Sequence, residues 1–328
     1  MLKDRDQKQK ALRYAAAKRW FPQLEVDVRP TQQLGKKVTP VTDLDVLACI
    51  PDDFRGFRLV VFDCKTKAKE SAVNRSLWLR GVLDRVRAEV GICIMRKNAI
   101  EPDHKLMATS LDIILLAENE FDLYANATSE HYCNTDAHIA DIESWERLYS
   151  IGARYPKLNP AMEFGRSTYW MLEDAFSSCR RTLAHLREVR AELDPAKTDH
   201  VGVVCDFAAL FARSIAVLCS YLFKAYLHPG RQQDLEEAVK LLMYGGRESY
   251  EHRNQLYRLL REHKIPDAER DDLGLPEWPR LIKLVRQLLD APVDVSRSPL
   301  IVRELSLSYM GVALLRRRPQ GVAVAGKA

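Results

Sequence analysis

TDLDVLACIPDDFRGFRLVVFDCKTKAK, residues 42–69, holds two apolar runs separated by turn formers, and the fold of the first part of the chain follows from it. Residues 41–50 and 57–67 crowd Val, Leu, Ile and Phe onto both faces, as strands covered on both sides do. Pro51, Asp52, Asp53 and Gly56 interrupt the two runs, so they are expected to form a β-hairpin with its apex near Phe54. With that apex the numbers of facing residues add to 108, which sets Asp45 across from Asp63 and Asp43 across from Lys65. Side chains alternate between the faces of a strand. Asp43 and Asp45 therefore share one face of the first strand, and Leu59, Val61, Asp63 and Lys65 share the matching face of the second.

Like charges facing each other across a ladder destabilise it. A divalent cation would turn that cost into a site, because Mg²⁺ is commonly held by one or two carboxylates, with waters and phosphate oxygens completing the octahedron. Lys65, two residues beyond Asp63, would then reach the phosphate or the attacking water. Cys64, pointing into the core, would offer its backbone carbonyl as a further oxygen ligand. A plainer reading makes Asp43 and Lys65 a cross-strand ion pair and leaves Asp45 and Asp63 on a solvated face.

Asp45 in TDLDVLA, Asp63 and Lys65 in LVVFDCK, the helical pattern over residues 71–89 and the strand-like GICIMRK after it resemble the PD-(D/E)xK nuclease superfamily, the restriction-endonuclease-like fold. The resemblance covers about the first 125 residues. It implies an α/β domain with an αβββαβ core on a mixed sheet: a helix over 11–21, a strand over 24–29, the hairpin, a helix over 77–90 and a strand over 91–96. It also implies that Asp45 and Asp63 bind Mg²⁺ or Mn²⁺ and that Lys65 helps the water that cleaves a phosphodiester bond. The implied partner is a nucleic acid, with DNA favoured over RNA. Asp43, on the same face, Lys67, in the basic exit from the strand, and Arg80, on the following helix, form a second tier of candidates. The helix segment ALRYAAAKRW lacks the glutamate that many members place there as a further metal ligand, and Glu25 comes too late in the chain to fill that role. That gap favours the alternative: an inactive nuclease-like protein that binds nucleic acid or scaffolds a complex.

Charge is unevenly spread. Residues 1–105 carry 22 Lys and Arg against 14 Asp and Glu, whereas residues 106–150 carry 1 against 9, so the positive excess sits with the hairpin, where a phosphate-binding surface is expected. At 328 residues and 47% hydrophobic content the chain is long enough for two domains. Its charged N-terminus does not read as a signal peptide. The longest apolar stretch, VGVVCDFAALFARSIAVLCSYLF, contains Asp206 and Arg213 and reads as a buried helix, not a membrane span. Seven cysteines without a CxxC point to reduced thiols in a cytoplasm and away from a disulfide framework or zinc finger.

Residues 126–160 include the polar, turn-rich NATSEHYCNTDAHIADIES and are expected to connect residues 1–125 to an all-α domain over 161–317, followed by a disordered tail over 318–328. In that domain the pattern predicts helices over 167–193, 199–227, 234–244, 247–264, 279–290 and 299–317. This half is expected to serve as a DNA-binding arm, a dimerisation surface or a platform for a protein partner. Arg258 with His263, and Arg180 with His185, match the loose R-x4-H spacing of HEPN-type ribonucleases, a third functional reading. His131, Cys133, Asp136 and His138 can all ligate metal but lack a recognised spacing, which favours an ordinary loop. No Walker A, dinucleotide glycine fingerprint, HExxH or GxSxG motif occurs.

Overall fold

The structure, a computed structural model, describes residues 2–30, 39–52, 56–66, 70–172, 174–227, 230–263 and 277–315. The N-terminal part runs α1 (Arg5–Ala17), β1 (Phe21–Val28), β2 (Thr42–Asp52), β3 (Gly56–Lys65), α2 (Ala72–Val86), β4 (Val90–Met95), α3 (Pro102–Thr109), β5 (Ile113–Ala117) and α4 (Glu118–Thr128). The five strands lie side by side in chain order. β1–β2 and β2–β3 are antiparallel, β3–β4 and β4–β5 parallel, so the sheet is mixed. The parallel crossovers carry α2 and α3, as parallel neighbours require a connection that returns the chain to the same end of the sheet.

The hairpin has the expected register. Its pairs run from Val46–Phe62 to Asp52–Gly56, every pair summing to 108, while the expected apex at Phe54 lies outside the described residues. Pairing stops at Val46–Phe62, so Asp45 and Asp63 sit just beyond the last paired residues, where β2 and β3 part. Gly56 ends the turn with φ of +83°, and an added Cβ would meet Val217 Cγ2 at 3.1 Å. Gly56→Ala is therefore expected to cost about 1 kcal/mol or more, read as a lower urea midpoint; an unchanged midpoint would show that the turn absorbs the strain.

One element boundary differs from the sequence reading: α1 begins at Arg5, not residue 11, because its polar first turns conceal Gln7 and Lys8, which are 0% and 1% exposed. α2 begins at Ala72, in keeping with the helical pattern over residues 71–89 and ahead of the narrower helix over 77–90; it is capped by Ser71, whose hydroxyl accepts from the Asn74 amide at 3.3 Å. The fifth strand, IILLA, is a short apolar run without alternation and was not anticipated.

The helical part comprises α5 (Ile142–Arg154), α6 (Asn159–Glu163), α7 (Tyr169–Met171), α8 (Ala175–Val189), α9 (Thr198–Tyr226), α10 (Gln232–Met243), α11 (Arg247–Glu262), α12 (Trp278–Leu289), α13 (Pro292–Val295) and α14 (Ser298–Leu315). The helix expected over 167–193 is broken: a π-helix, Phe164–Thr168, joins α6 to α7, and Asp174 then caps a fresh start at α8 by accepting from the Ser177 amide at 2.6 Å. Residues 126–160, expected as a connection, hold α5, whose Trp145 is fully buried.

One apolar core runs without interruption from α1 and the sheet through α5 to Phe207, Leu210, Leu307 and Met310. A second core gathers the C-terminal part of α9 with α10 and α12. Arg303 on α14 ties the helices to β1. Fully buried, its guanidinium lies 4.8 Å from the Phe21 ring and 5.2 Å from the Trp145 ring, donates to Gln23 Oε1 at 2.8 Å and pairs with Asp206 at 3.1 Å. Among the described residues α9 alone is long and apolar enough to cross a membrane by length and composition, and half of its most apolar window is buried in the fold. All seven cysteines are free.

Candidate functional site

β2 and β3 part at Asp45 and Asp63, and their two carboxyl groups turn into the protein. Each residue is 3% exposed, so neither lies on a solvated face. Lys65, one of the few site residues with access to solvent, spans them: its Nζ is 3.3 Å from Asp45 Oδ2 and 3.2 Å from Asp63 Oδ1. Asp45, Asp63 and Lys65 are thus brought together as the spacing predicted. The Asp43–Lys65 pairing is not found. Asp43 is exposed and faces Asp27 on β1. Of Cys64, the structure brings the amide to the site, donating to Asp45 Oδ2 at 2.7 Å. Arg80 is no part of it; it pairs with Asp84 and, at 3.1 Å, with Asp112 on the outer surface. Lys67 lies outside the described residues.

Three participants, Lys8, Arg75 and Cys93, went unread in the sequence, and a fourth, Glu25, was set aside as lying too late in the chain for the helix ligand. Lys8 on α1 pairs with Asp45 Oδ1 at 2.9 Å and with Glu25. Arg75, in the first turn of α2, grips Asp63 with both arms of its guanidinium, Nε lying 2.5 Å from Oδ2 and Nη2 on Oδ1. It also stacks 3.6 Å from the centre of the Trp78 ring. The Cys93 thiol of β4 reaches Asp63 Oδ2 at 3.5 Å. Glu25 lies on β1 between the paired Leu24 and Val26, hence opposite Asp45, with φ of +53°. A left-handed glutamate inside a strand costs on the order of 1–3 kcal/mol and persists only where its surroundings impose it. Here Tyr149 donates to the Leu24 carbonyl beside it, and the Glu25 carboxylate is delivered to Lys8.

Burial alone pushes the Asp63 carboxyl up, but the Arg75 hydrogen bonds and the Lys65 charge more than offset it and hold the group below its ordinary value. Burial also pushes Asp45 up, and there it prevails over Lys65 and Lys8, with the Asp63 charge adding to it. Burial raises Glu25 as well, against the Lys8 hydrogen bond. Lys65 is raised: its desolvation is outweighed by Asp63 and Asp45, so it stays an ammonium at neutral pH. Stability then depends on pH in two opposite senses. The contribution of Asp63 is complete above the unfolded carboxyl value and is lost as pH falls through its depressed folded value. That of Asp45 is present at low pH and fades as pH rises through its raised folded value. At pH 7 Asp63→Asn is expected to lower the urea midpoint clearly, and Asp45→Asn to lower it less or to raise it. Equal losses would contradict this assignment.

The fit of a metal ion is decided by free lone pairs. Both oxygens of Asp63 are taken by Arg75, Lys65 and Cys93, so the expected Asp45–Asp63 ligand pair is not available as the site stands. On the other side of Asp45 the donors fit once Lys8, which pairs with Asp45 Oδ1 and with Glu25, gives way. Glu25, Asp43 and Asp45 bring carboxylate oxygens within 4.8 Å of one another, the hard oxygen set that Mg²⁺ or Mn²⁺ takes, with Asp43 open to solvent. Among the described residues this is the one such group of three; His131, Cys133, Asp136 and His138 do not form one. The R-x4-H pairs are engaged separately. His263 meets the Leu259 carbonyl on the exposed end of α11, and His185 meets Glu188. Cavities of about 340 and 490 Å³ lie elsewhere, against α9.

No protein-family model, curated protein or solved structure matches the chain, so the site rests on its own geometry.

Proposed function

We propose that the chain is a metal-dependent phosphodiester hydrolase of restriction-endonuclease-like fold acting on nucleic acid, with DNA the favoured substrate. One observation carries the reading: Asp45, Asp63 and Lys65 meet at the parting of a hairpin whose register matches the one that their spacing requires. The order of elements from α1 to β4 on a mixed sheet supports it, as does the positive balance of residues 1–105. Glu25, Asp43 and Asp45 would hold Mg²⁺ or Mn²⁺. Such an ion, when bound, polarises a phosphate oxygen and acidifies a bound water.

The chain's own groups have separable roles. Lys65, kept protonated by the two acids, donates to a non-bridging phosphate oxygen and stabilises the charge that grows in the transition state. Asp63, kept ionised by Arg75, fixes the ammonium of Lys65 in place. Wild-type protein is expected to cleave supercoiled, linear or single-stranded DNA, or RNA, with Mg²⁺ or Mn²⁺ and not with EDTA, and Asp45→Ala is expected to lose that activity. Cleavage that persists in EDTA, or survives in Asp45→Ala, contradicts the reading.

A second reading is favoured by a specific observation. Lys8, Lys65 and Arg75 set three positive charges against the three of Glu25, Asp45 and Asp63. A cluster so balanced needs no metal, and Lys8 sits between the same Glu25 and Asp45 oxygens that an ion would use. That arrangement fits a nuclease-like core that binds nucleic acid or a partner without cleaving it. Retained nucleic-acid binding without cleavage or metal uptake would select it.

A further inference from the structure

Glu25 owes its place at the acid cluster to one peptide plane. The Leu24 carbonyl and the Glu25 amide nitrogen belong to the same planar unit, so a group that grips that carbonyl also sets φ at Glu25, here +53°. Two donors grip it: the Tyr149 hydroxyl of α5 and, at 3.3 Å, the Gln23 side-chain amide. At this φ the Glu25 carboxylate meets Lys8 and lies within 4.8 Å of the Asp43 and Asp45 oxygens. Released from the grip, the residue would favour the extended backbone of its neighbours, because a left-handed residue other than glycine is costly.

The two donors are oriented from the helical part. Arg303 of α14 can only donate. Its Nη1 donates to Gln23 Oε1 at 2.8 Å, which turns the Gln23 amide nitrogen to the Tyr149 oxygen, 3.0 Å away. Accepting from Gln23, the Tyr149 hydroxyl directs its own proton to the Leu24 carbonyl. Every step of this relay runs one way, from Arg303 to Leu24. Its origin is fixed as well: Arg303 is fully buried and pairs with Asp206 of α9 at 3.1 Å. Arg166, on the π-helix, lies 4.4 Å over the Tyr149 ring. A void of about 10 Å³ beside Gln23, Tyr149, Arg166 and Asp206 has room for roughly one water, so the relay has little slack.

We infer that Tyr149 is a positioning residue, the last member of a relay Arg303–Gln23–Tyr149 through which α5, α9 and α14 hold Glu25 in the conformation that joins it to Asp43 and Asp45. The value of this to a metal ion rests on the function proposed above; the grip on Glu25 does not. The helical part thereby sets the geometry of the acid cluster.

Tyr149→Phe removes the hydroxyl and keeps the ring. Its control is Tyr169→Phe, which removes a buried hydroxyl outside the relay that donates to the Leu210 carbonyl at 2.8 Å. Two readouts are compared in the full chain: the ¹³Cα and ¹³Cβ shifts of Glu25, which separate left-handed from extended backbone, and Mn²⁺ affinity by electron paramagnetic resonance. Tyr149→Phe is expected to move the Glu25 shifts toward extended values and to weaken Mn²⁺ by about tenfold or more, since only the fraction with Glu25 in place takes the ion. Tyr169→Phe is expected to leave both readouts at wild type. Should Tyr149→Phe fail to fold, Gln23→Met breaks the relay one member earlier and is expected to act in the same sense. The inference is overturned if the folded variant keeps the wild-type Glu25 shifts, if it binds Mn²⁺ as tightly as a wild type that does bind it, or if Tyr169→Phe moves both readouts equally. Shifts that move in a protein whose wild type takes up no Mn²⁺ would uphold the positioning role and sink the metal reading.

Discussion

Arg75→Ala is expected to cost about 3–5 kcal/mol of folding free energy, the range for breaking one partner of a buried ion pair. Arg75 is 12% exposed at its side chain and Asp63 4%, so solvent screens the pair little. The guanidinium contributes two hydrogen bonds in a fixed fork and packs its plane on Trp78. Without it Asp63 keeps only Lys65 and the weak Cys93 thiol, and its carboxylate remains where burial disfavours charge. Arg75→Lys restores the charge but neither the fork nor the stacking, so it is expected to recover only part of the loss. Urea or thermal unfolding of the three proteins reads the effect; a loss below about 1 kcal/mol would place the pair with exposed ion pairs, whose contribution is small.

Lys65→Ala is expected to lower the rate of metal-dependent cleavage by about 10²–10³-fold, the effect of removing one preorganised donor from a developing oxyanion. The loss should fall on kcat with KM little changed, because the interaction is made mainly in the transition state. Lys65→Arg is not expected to rescue it: a planar guanidinium cannot sit as a point charge within 3.3 Å of both acids without moving one of them. Folding of the variants is checked by circular dichroism. A loss confined to KM would make Lys65 a substrate-binding residue remote from the reacting phosphate.

The hairpin and its three central residues were readable because β-pairing converts turn position into register, and one number, 108, then places every facing pair. Lys8 was hidden for the opposite reason: KDRDQKQKALRYAAAKR reads as a basic helix in solvent, yet Gln7 and Lys8 in the first half of α1 are buried. Arg75 and Arg80 show how a helical offset decides which arginine matters. The crossover from β3 returns the first turn of α2 over the end of that strand, and five residues later the helix has left it. Glu25 lies too late for a ligand on the first helix and was set aside on that ground; its place at the site depends on a left-handed backbone that β1 alone does not announce. In the helical part the periodicity located most helices but not the π-turn over 164–168 or the new start at Ala175; at the π-turn Trp170 Nε1 donates to the Gly165 carbonyl at 2.8 Å. Nor did polarity reveal that residues 126–160 feed Trp145 into the core shared by sheet and helices.

Mn²⁺ titration followed by electron paramagnetic resonance tests the central claim most directly, because it asks whether the acid cluster takes up an ion independently of any substrate. Wild-type protein is expected to remove Mn²⁺ from the free signal with saturation at one ion per chain, to release it to Mg²⁺, and to lose that uptake in Asp45→Asn. An unchanged free-ion signal at millimolar Mn²⁺, or uptake that Asp45→Asn leaves intact, would contradict the metal-dependent site and leave a cluster balanced by Lys8, Lys65 and Arg75 alone.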